Sequence, residues 1–125
     1  DLEGRVTLTG EVTETVLASF YDSADLFVLA TRFEGYGMAL TEALARGLPV
    51  VSSQTGAVTE TVPKDAGLLV SPNDPRALAA ALDAVVSDAE FRRRLSQGAR
   101  AARSNLSSWE TAALRMAGVL RAARP

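Results

Sequence analysis

Apolar positions along this chain follow two rhythms, and the change from one to the other divides it. Over residues 1–72, short continuous apolar runs alternate with segments of helical spacing. Val6 to Thr9 reads as a short strand ended by Gly10. Val16, Leu17, Phe20 and Tyr21 then recur at the spacing of an amphipathic helix. Leu26-Phe27-Val28-Leu29-Ala30 is apolar throughout, as in a parallel strand covered on both faces. A helix over Met38–Arg46 turns Leu40, Ala43 and Leu44 inward, and Gly47 stops it. Val50 to Ser53 is the next strand, a short helix lies near Thr59–Val62, and Leu68-Leu69-Val70 is the last strand.

Residues 73–125 read as helices alone. Asp74 followed by Pro75 supplies an N-cap and a first-turn proline. Leu78, Leu82, Val85 and Val86 form the buried stripe of that helix. Ser87 with Glu90, and Ser107 with Glu110, have capping-box spacing. Phe91, Leu95, Ala99 and Ala102 are expected inside, with Arg92, Arg93, Arg94, Arg100 and Arg103 turned elsewhere. The last helix carries Trp109, Ala112, Ala113, Met116, Val119 and Leu120 on one side, which predicts core packing for Trp109. The fold class is therefore α/β: a Rossmann-like parallel sheet of about four strands flanked by helices, with a helical tail. It is one partial domain, 1–72 the α/β part and 73–125 the tail. In such sheets ligands sit at the carboxyl ends of the strands, so the loops after Ala30 and Ser53 are the places to look.

Composition narrows the chemistry. The 125 residues include neither cysteine nor histidine, which excludes disulfides, thiolate zinc sites and any histidine base or ligand. No apolar run approaches the ~20 residues of a membrane-spanning helix, and no signal-peptide pattern opens the chain. The net charge of −2 conceals an asymmetry. Residues 1–75 hold eleven acidic and four basic side chains, residues 76–125 four acidic and nine basic. Such a balance suits contact with an acidic surface, a peripheral membrane contact included, or solvated helix faces. Nucleic acid is not expected, because the basic stretch has neither interleaved aromatics nor a recognised binding motif. Asp22 and Asp25 bracket a helix-to-strand turn, where aspartate is common, and no metal site is expected.

The loop that begins at Arg32 concentrates the informative residues: Phe33-Glu34-Gly35-Tyr36-Gly37-Met38-Ala39-Leu40-Thr41-Glu42. Two glycines around an aromatic permit unusual backbone angles and close approach of a ligand. The helix that follows opens with unpaired N–H groups, a natural place for phosphate. Glu34 at the mouth and Glu42 one turn in can each accept two neighbouring hydroxyls. A sugar, a diphosphate and a ribose together would match a nucleotide sugar.

Embedded as EGYGMALTEALARGLPVV, this Glu-x7-Glu resembles the signature of the retaining glycosyltransferases of family 4, which have the two-Rossmann-domain GT-B fold. RVTLTGEV, FYDSADLFVLAT, TGAVTETV, AGLLVSPNDP and the closing SSWE resemble that family's C-terminal domain in order. The resemblance implies that Glu34 contacts donor-sugar hydroxyls at the reaction centre and Glu42 the ribose. It implies backbone contacts from Gly35, Tyr36, Gly37, Met38, Ala39 and Leu40 to the sugar and diphosphate. Gly56 matches the first of two glycines that approach the donor, with Ala57 in place of the second and Thr59 where proline is frequent. Glu60 is expected to cap or to support. No metal or other cofactor is implied beyond the nucleotide-sugar donor, and the location implied is cytoplasmic, at the inner membrane face or free of it.

The same resemblance implies an acceptor-binding N-terminal domain outside this chain. It also implies two earlier strands and a cationic Arg and Lys that neutralise the leaving diphosphate. Those strands would lie between the Val6 and Leu26 strands. Their absence would force direct pairing, pairing with a second copy as a homodimer, or exposed sheet edges. A non-catalytic nucleotide-sugar-binding module, or a phosphorylase or epimerase of the same fold, are the alternatives.

Overall fold

A computed structural model describes residues 3–106 and 108–123. In chain order the elements are α1 (Glu14–Ser23), β1 (Phe27–Leu29), α2 (Met38–Ala45), β2 (Val50–Ser53), α3 (Val58–Thr61) and β3 (Gly67–Val70). There follow α4 (Pro75–Ser87), α5 (Ala89–Ala102), a 3-10 turn (Arg103–Asn105) and α6 (Trp109–Ala122).

The sheet is parallel in the order β1-β2-β3, with Phe27 opposite Val50 and Val50 opposite Gly67. Alternation along the strands sends side chains to two separate cores. On one face Val50, with Phe27, Leu29 and Leu69, packs against Tyr21 of α1, Leu40, Ala43 and Leu44 of α2, and Val58 of α3. On the other, Val51 with Leu68 and Val70 meets Ala81 and Val85 of α4 and Leu95 of α5. Central β2 is buried at every position, its two valines facing the two cores and the buried Ser52 hydroxyl donating to the Leu29 carbonyl at 2.7 Å. Glycine at 98 lets α5 lie close: a Cβ there would stand 2.0 Å from the Asp65 carbonyl oxygen.

Four expectations are corrected. Val6–Thr9 is not a strand; the segment is exposed and joins no sheet, so three strands are present among the described residues, not four. A strand exists only where a neighbour completes its ladder, and β1 pairs with β2 alone. Secondly, the second face of β1 is covered only in part: Leu26, just ahead of it, packs on the Val51 core, but Val28 is 43% exposed. Thirdly, α6 buries none of its residues, and Trp109 is 88% exposed in place of the expected core packing. Finally, Val86 is exposed and Ala81 takes its place in the stripe of α4.

Local capping follows the sequence at α4 and is shifted by one residue at α5 and α6. Asp74 accepts from the Ala77 amide at 2.9 Å, with Pro75 in the first turn. Asp88, not Ser87, caps α5 by accepting from the Phe91 amide at 2.8 Å, because Ser87 still belongs to α4. Ser108 caps α6, accepting from the Thr111 amide at 3.1 Å, whereas Ser107 lies outside the described residues. Each cap contributes about 1 kcal/mol.

Candidate functional site

The loop between β1 and α2 is organised by Glu34. Its carboxylate oxygen Oε1 accepts a hydrogen bond from the Gly37 amide at 3.0 Å. Its carbonyl oxygen accepts another from the Ala57 amide, also at 3.0 Å. One residue therefore shapes its own loop and ties it to the loop after β2. Upstream, the Thr31 hydroxyl donates to the Phe33 carbonyl at 2.8 Å and tightens the turn.

Of the three glycines that the sequence singled out in these loops, Gly37 and Gly56 have a conformational reason, whereas Gly35 does not adopt a positive φ. Gly37 is the N-cap of α2 in the left-handed region, φ 81°, where a Cβ is disfavoured. A Cβ on Gly56, φ +46°, would lie 2.2 Å from the Glu34 carbonyl oxygen. Close approach of two backbones is thus what Gly56 makes available. Ala57, in the place of a second glycine, sits at φ −67° and needs no such freedom.

No side chain caps α2, so the amides at its start carry the exposed positive end of the helix dipole. The Thr41 hydroxyl and amide both bond to the Gly37 carbonyl, at 3.0 and 2.9 Å, which fixes the first turn. Met38 and Tyr36 are exposed, Ala39 is half-buried, and the Leu40 side chain is fully buried in the core. Gly35 is exposed.

Glu42 belongs to a different neighbourhood. It lies on the outer face of α2 and accepts a hydrogen bond from the Tyr21 hydroxyl of α1. Burial, then the charge and hydrogen bond of Glu42, push the Tyr21 hydroxyl above its ordinary value of 10.0, while Arg46 opposes them. The Arg46 guanidinium stands 5.5 Å above the Tyr21 ring and pairs with Asp22. Tyr21 also stacks on Phe27, with ring centroids 6.0 Å apart.

The structure thus brings Glu34, Gly37 and Gly56 together at the carboxyl ends of β1 and β2, and sets Glu42 on the flank beside Tyr21. Sequence reasoning missed Thr41 and the Tyr21–Glu42–Arg46–Asp22 cluster. The i, i+4 spacing of Glu42 and Arg46 signals a pair, but the partners on α1 are visible only in three dimensions. Glu60 is exposed and caps nothing among the described residues, which leaves the supporting role of the two expected; it lines a cavity with Tyr36 and Thr41.

The family model for glycosyl transferases group 1 matches residues 1–102. This chain belongs to the group 1 glycosyl transferases. Among its group 1 relatives is a D-inositol 3-phosphate glycosyltransferase of Xylanimonas cellulosilytica, 38% identical over 116 residues. That alignment covers 92% of this chain and 28% of the relative. Sucrose-phosphate synthase from Thermosynechococcus elongatus superposes with a TM-score of 0.85 at 36% identity, over 96% of this chain and 30% of that one. Anabaena Alr3699/HepE, solved in complex with UDP, gives a TM-score of 0.85 at 25% identity, over 97% and 33%. The group 1 chain described here therefore spans about a third or less of these proteins, and its α/β layering is that of a GT-B glycosyltransferase domain.

Proposed function

We propose that this chain is the donor-binding half of a retaining glycosyltransferase that moves a sugar from a nucleotide diphosphate sugar to an acceptor. The observation that carries this reading is the Glu34–Gly37–Gly56 assembly at the carboxyl ends of β1 and β2, beside the uncapped start of α2. The UDP complex of Anabaena HepE supports a nucleotide ligand for the shared fold.

In this reading the diphosphate rests on the first amides of α2, where the helix dipole favours negative charge. Leaving-group charge grows there as the glycosidic bond breaks, so the amides stabilise the transition state more than the ground state. Glu34 keeps acceptor capacity beyond its bond to Gly37, and uses it to orient donor-sugar hydroxyls and offset positive charge at the reacting carbon. Gly35 to Leu40 contribute backbone groups, and the bare Gly56 backbone lets the donor approach. Glu42 takes the ribose hydroxyls with the lone pairs that Tyr21 leaves open. No metal enters this reading. A second domain supplies the acceptor, and a nucleotide-sugar donor suits a cytoplasmic setting. The unpaired edge of β1 and the exposed segment 6–9 support completion of the sheet by strands from elsewhere in the protein or from a second copy.

Ligand-observed NMR with a panel of UDP-, GDP- and ADP-sugars tests the proposal. Saturable binding of one donor, weakened in Glu34→Ala and in Glu42→Ala, is the expected result. A folded chain that binds none of the panel, or binds it equally well in both variants, would refute the donor site.

A further inference from the structure

At the opposite end of the sheet from Glu34 lies a groove of about 400 Å³, within the roughly 300–1,000 Å³ of small-molecule sites. It runs between α5 and the turns that lead into β1 and β2. Four arginines line it, Arg46, Arg92, Arg93 and Arg100, against two carboxylates, Asp22 and Asp25. Positive charge is therefore in excess, in a chain whose overall charge is −2.

The groove is built, not merely decorated with mobile arginines. Arg92, Ser96 and Arg100 recur every four residues along one flank of α5 and form a row. The Ser96 hydroxyl donates to the Gly47 carbonyl at 2.8 Å and pins that flank to the turn after α2. Gly47 adopts φ +77°, and the Arg100 stem lies so close over it that a Cβ would meet Arg100 Cγ at 2.7 Å. Packing thus fixes the stem and reduces the entropy lost when its guanidinium binds an anion. Arg92 donates from Nη1 to the Val85 and Val86 carbonyls, at 3.0 Å each, which orients its fork and leaves its remaining N–H groups open.

Arg46 pairs with Asp22, and Arg93 pairs with Glu90. That leaves Arg92 and Arg100 against the single lining carboxylate of Asp25, a net positive balance. Among the described residues Arg100 lines the groove and has no carboxylate partner in an ion pair. Arg92, oriented by its bonds to α4, and Arg100, on a stem packed over Gly47, stand at the two ends of one row, which fits a ligand with separated anionic oxygens better than a single carboxylate.

We propose that this groove binds a small soluble phosphate-bearing anion, held between Arg92 and Arg100 and remote from the donor site. Inorganic pyrophosphate is the probe, titrated into the 15N-labelled chain at constant ionic strength. The amides of Gly47, Ser96 and Arg100 should shift saturably, with half-saturation below about 10 mM. Arg100→Met keeps the stem over Gly47 and removes the charge; it should weaken binding about tenfold, as loss of a charge-assisted contact predicts. Arg94→Met, on the same helix but outside the groove, should change nothing. Weak shifts reproduced by chloride, or an Arg100→Met variant that binds as well as the parent, would overturn the proposal. So would a response to phosphatidylglycerol vesicles with none to pyrophosphate, which would assign the arginines to a lipid headgroup surface. Because the donor loops lie across the sheet, shifts at Gly47, Ser96 and Arg100 report this groove and shifts between Gly35 and Leu40 report the donor site, so the two readings fail separately.

Discussion

A Cβ placed on Gly56 would stand 2.2 Å from the carbonyl oxygen of Glu34, inside any real contact distance. The adjacent Ala57 amide donates to that same oxygen at 3.0 Å. The two loops of the candidate site are therefore joined backbone to backbone, and glycine at position 56 is the condition for it. Gly56→Ala would force the loops apart and also strain φ +46°. We expect a loss of about 2 kcal/mol or more, read from urea unfolding. Donor binding should fall further than stability alone explains, since the displaced residue is Glu34.

Glu34 has a structural duty that any mutational test must separate from ligand binding. Its carboxylate accepts from the Gly37 amide, so Glu34→Ala leaves that donor without its partner. The expected stability cost is about 1 kcal/mol. Glu34→Gln keeps a carbonyl acceptor for the amide and loses the charge. It should unfold within about 0.5 kcal/mol of the parent, yet lose most donor affinity. Equal donor affinity in Glu34→Gln and the parent would show that the carboxylate serves only the turn.

Much of this was legible in the residues because the deciding interactions are local. The αL turn at Gly37 and the Asp74-Pro75 helix start depend on neighbours in sequence. Val6–Thr9 shows the limit: its composition suits a strand, but a strand is defined by a partner, and none is paired with it here. Helical periodicity in α6 likewise identifies an apolar face without saying what covers it. Tyr21 and Glu42 stand twenty-one positions apart, and no spacing rule joins them. Their contact follows from how α1 and α2 share the face of the sheet that holds Val50.

That contact gives the chain an alkaline limb. Burial and the Glu42 carboxylate both favour the protonated Tyr21 hydroxyl, so its folded pKa exceeds the unfolded value of 10.0. The folded state then holds this proton more tightly. The stabilisation is fully present below about pH 10 and is lost as pH rises through the raised folded value. Tyr21→Phe should flatten the decline in unfolding free energy above pH 10. Glu42→Gln should move the Tyr21 titration downward without returning it to 10.0, since burial persists. Tyrosinate absorbance reads this directly in a Tyr36→Phe background, where Tyr21 is the one remaining tyrosine.

Trp109 offers the sharpest contrast between an apolar pattern and real burial. At 88% exposed it can contribute little to the cohesion of this chain, although it is the largest apolar side chain present. Trp109→Ala should therefore change unfolding free energy by less than about 0.5 kcal/mol. Leu44→Ala, which empties a fully buried position between α2 and the sheet, should cost about 2–5 kcal/mol. Since the chain contains a single tryptophan, its fluorescence reports the environment without ambiguity. A red-shifted emission, readily quenched by iodide in the folded chain, is the expected signature. Blue-shifted, protected emission that vanished only on unfolding would show that α6 packs its apolar face in solution, and the sequence-based expectation of a core tryptophan would then stand.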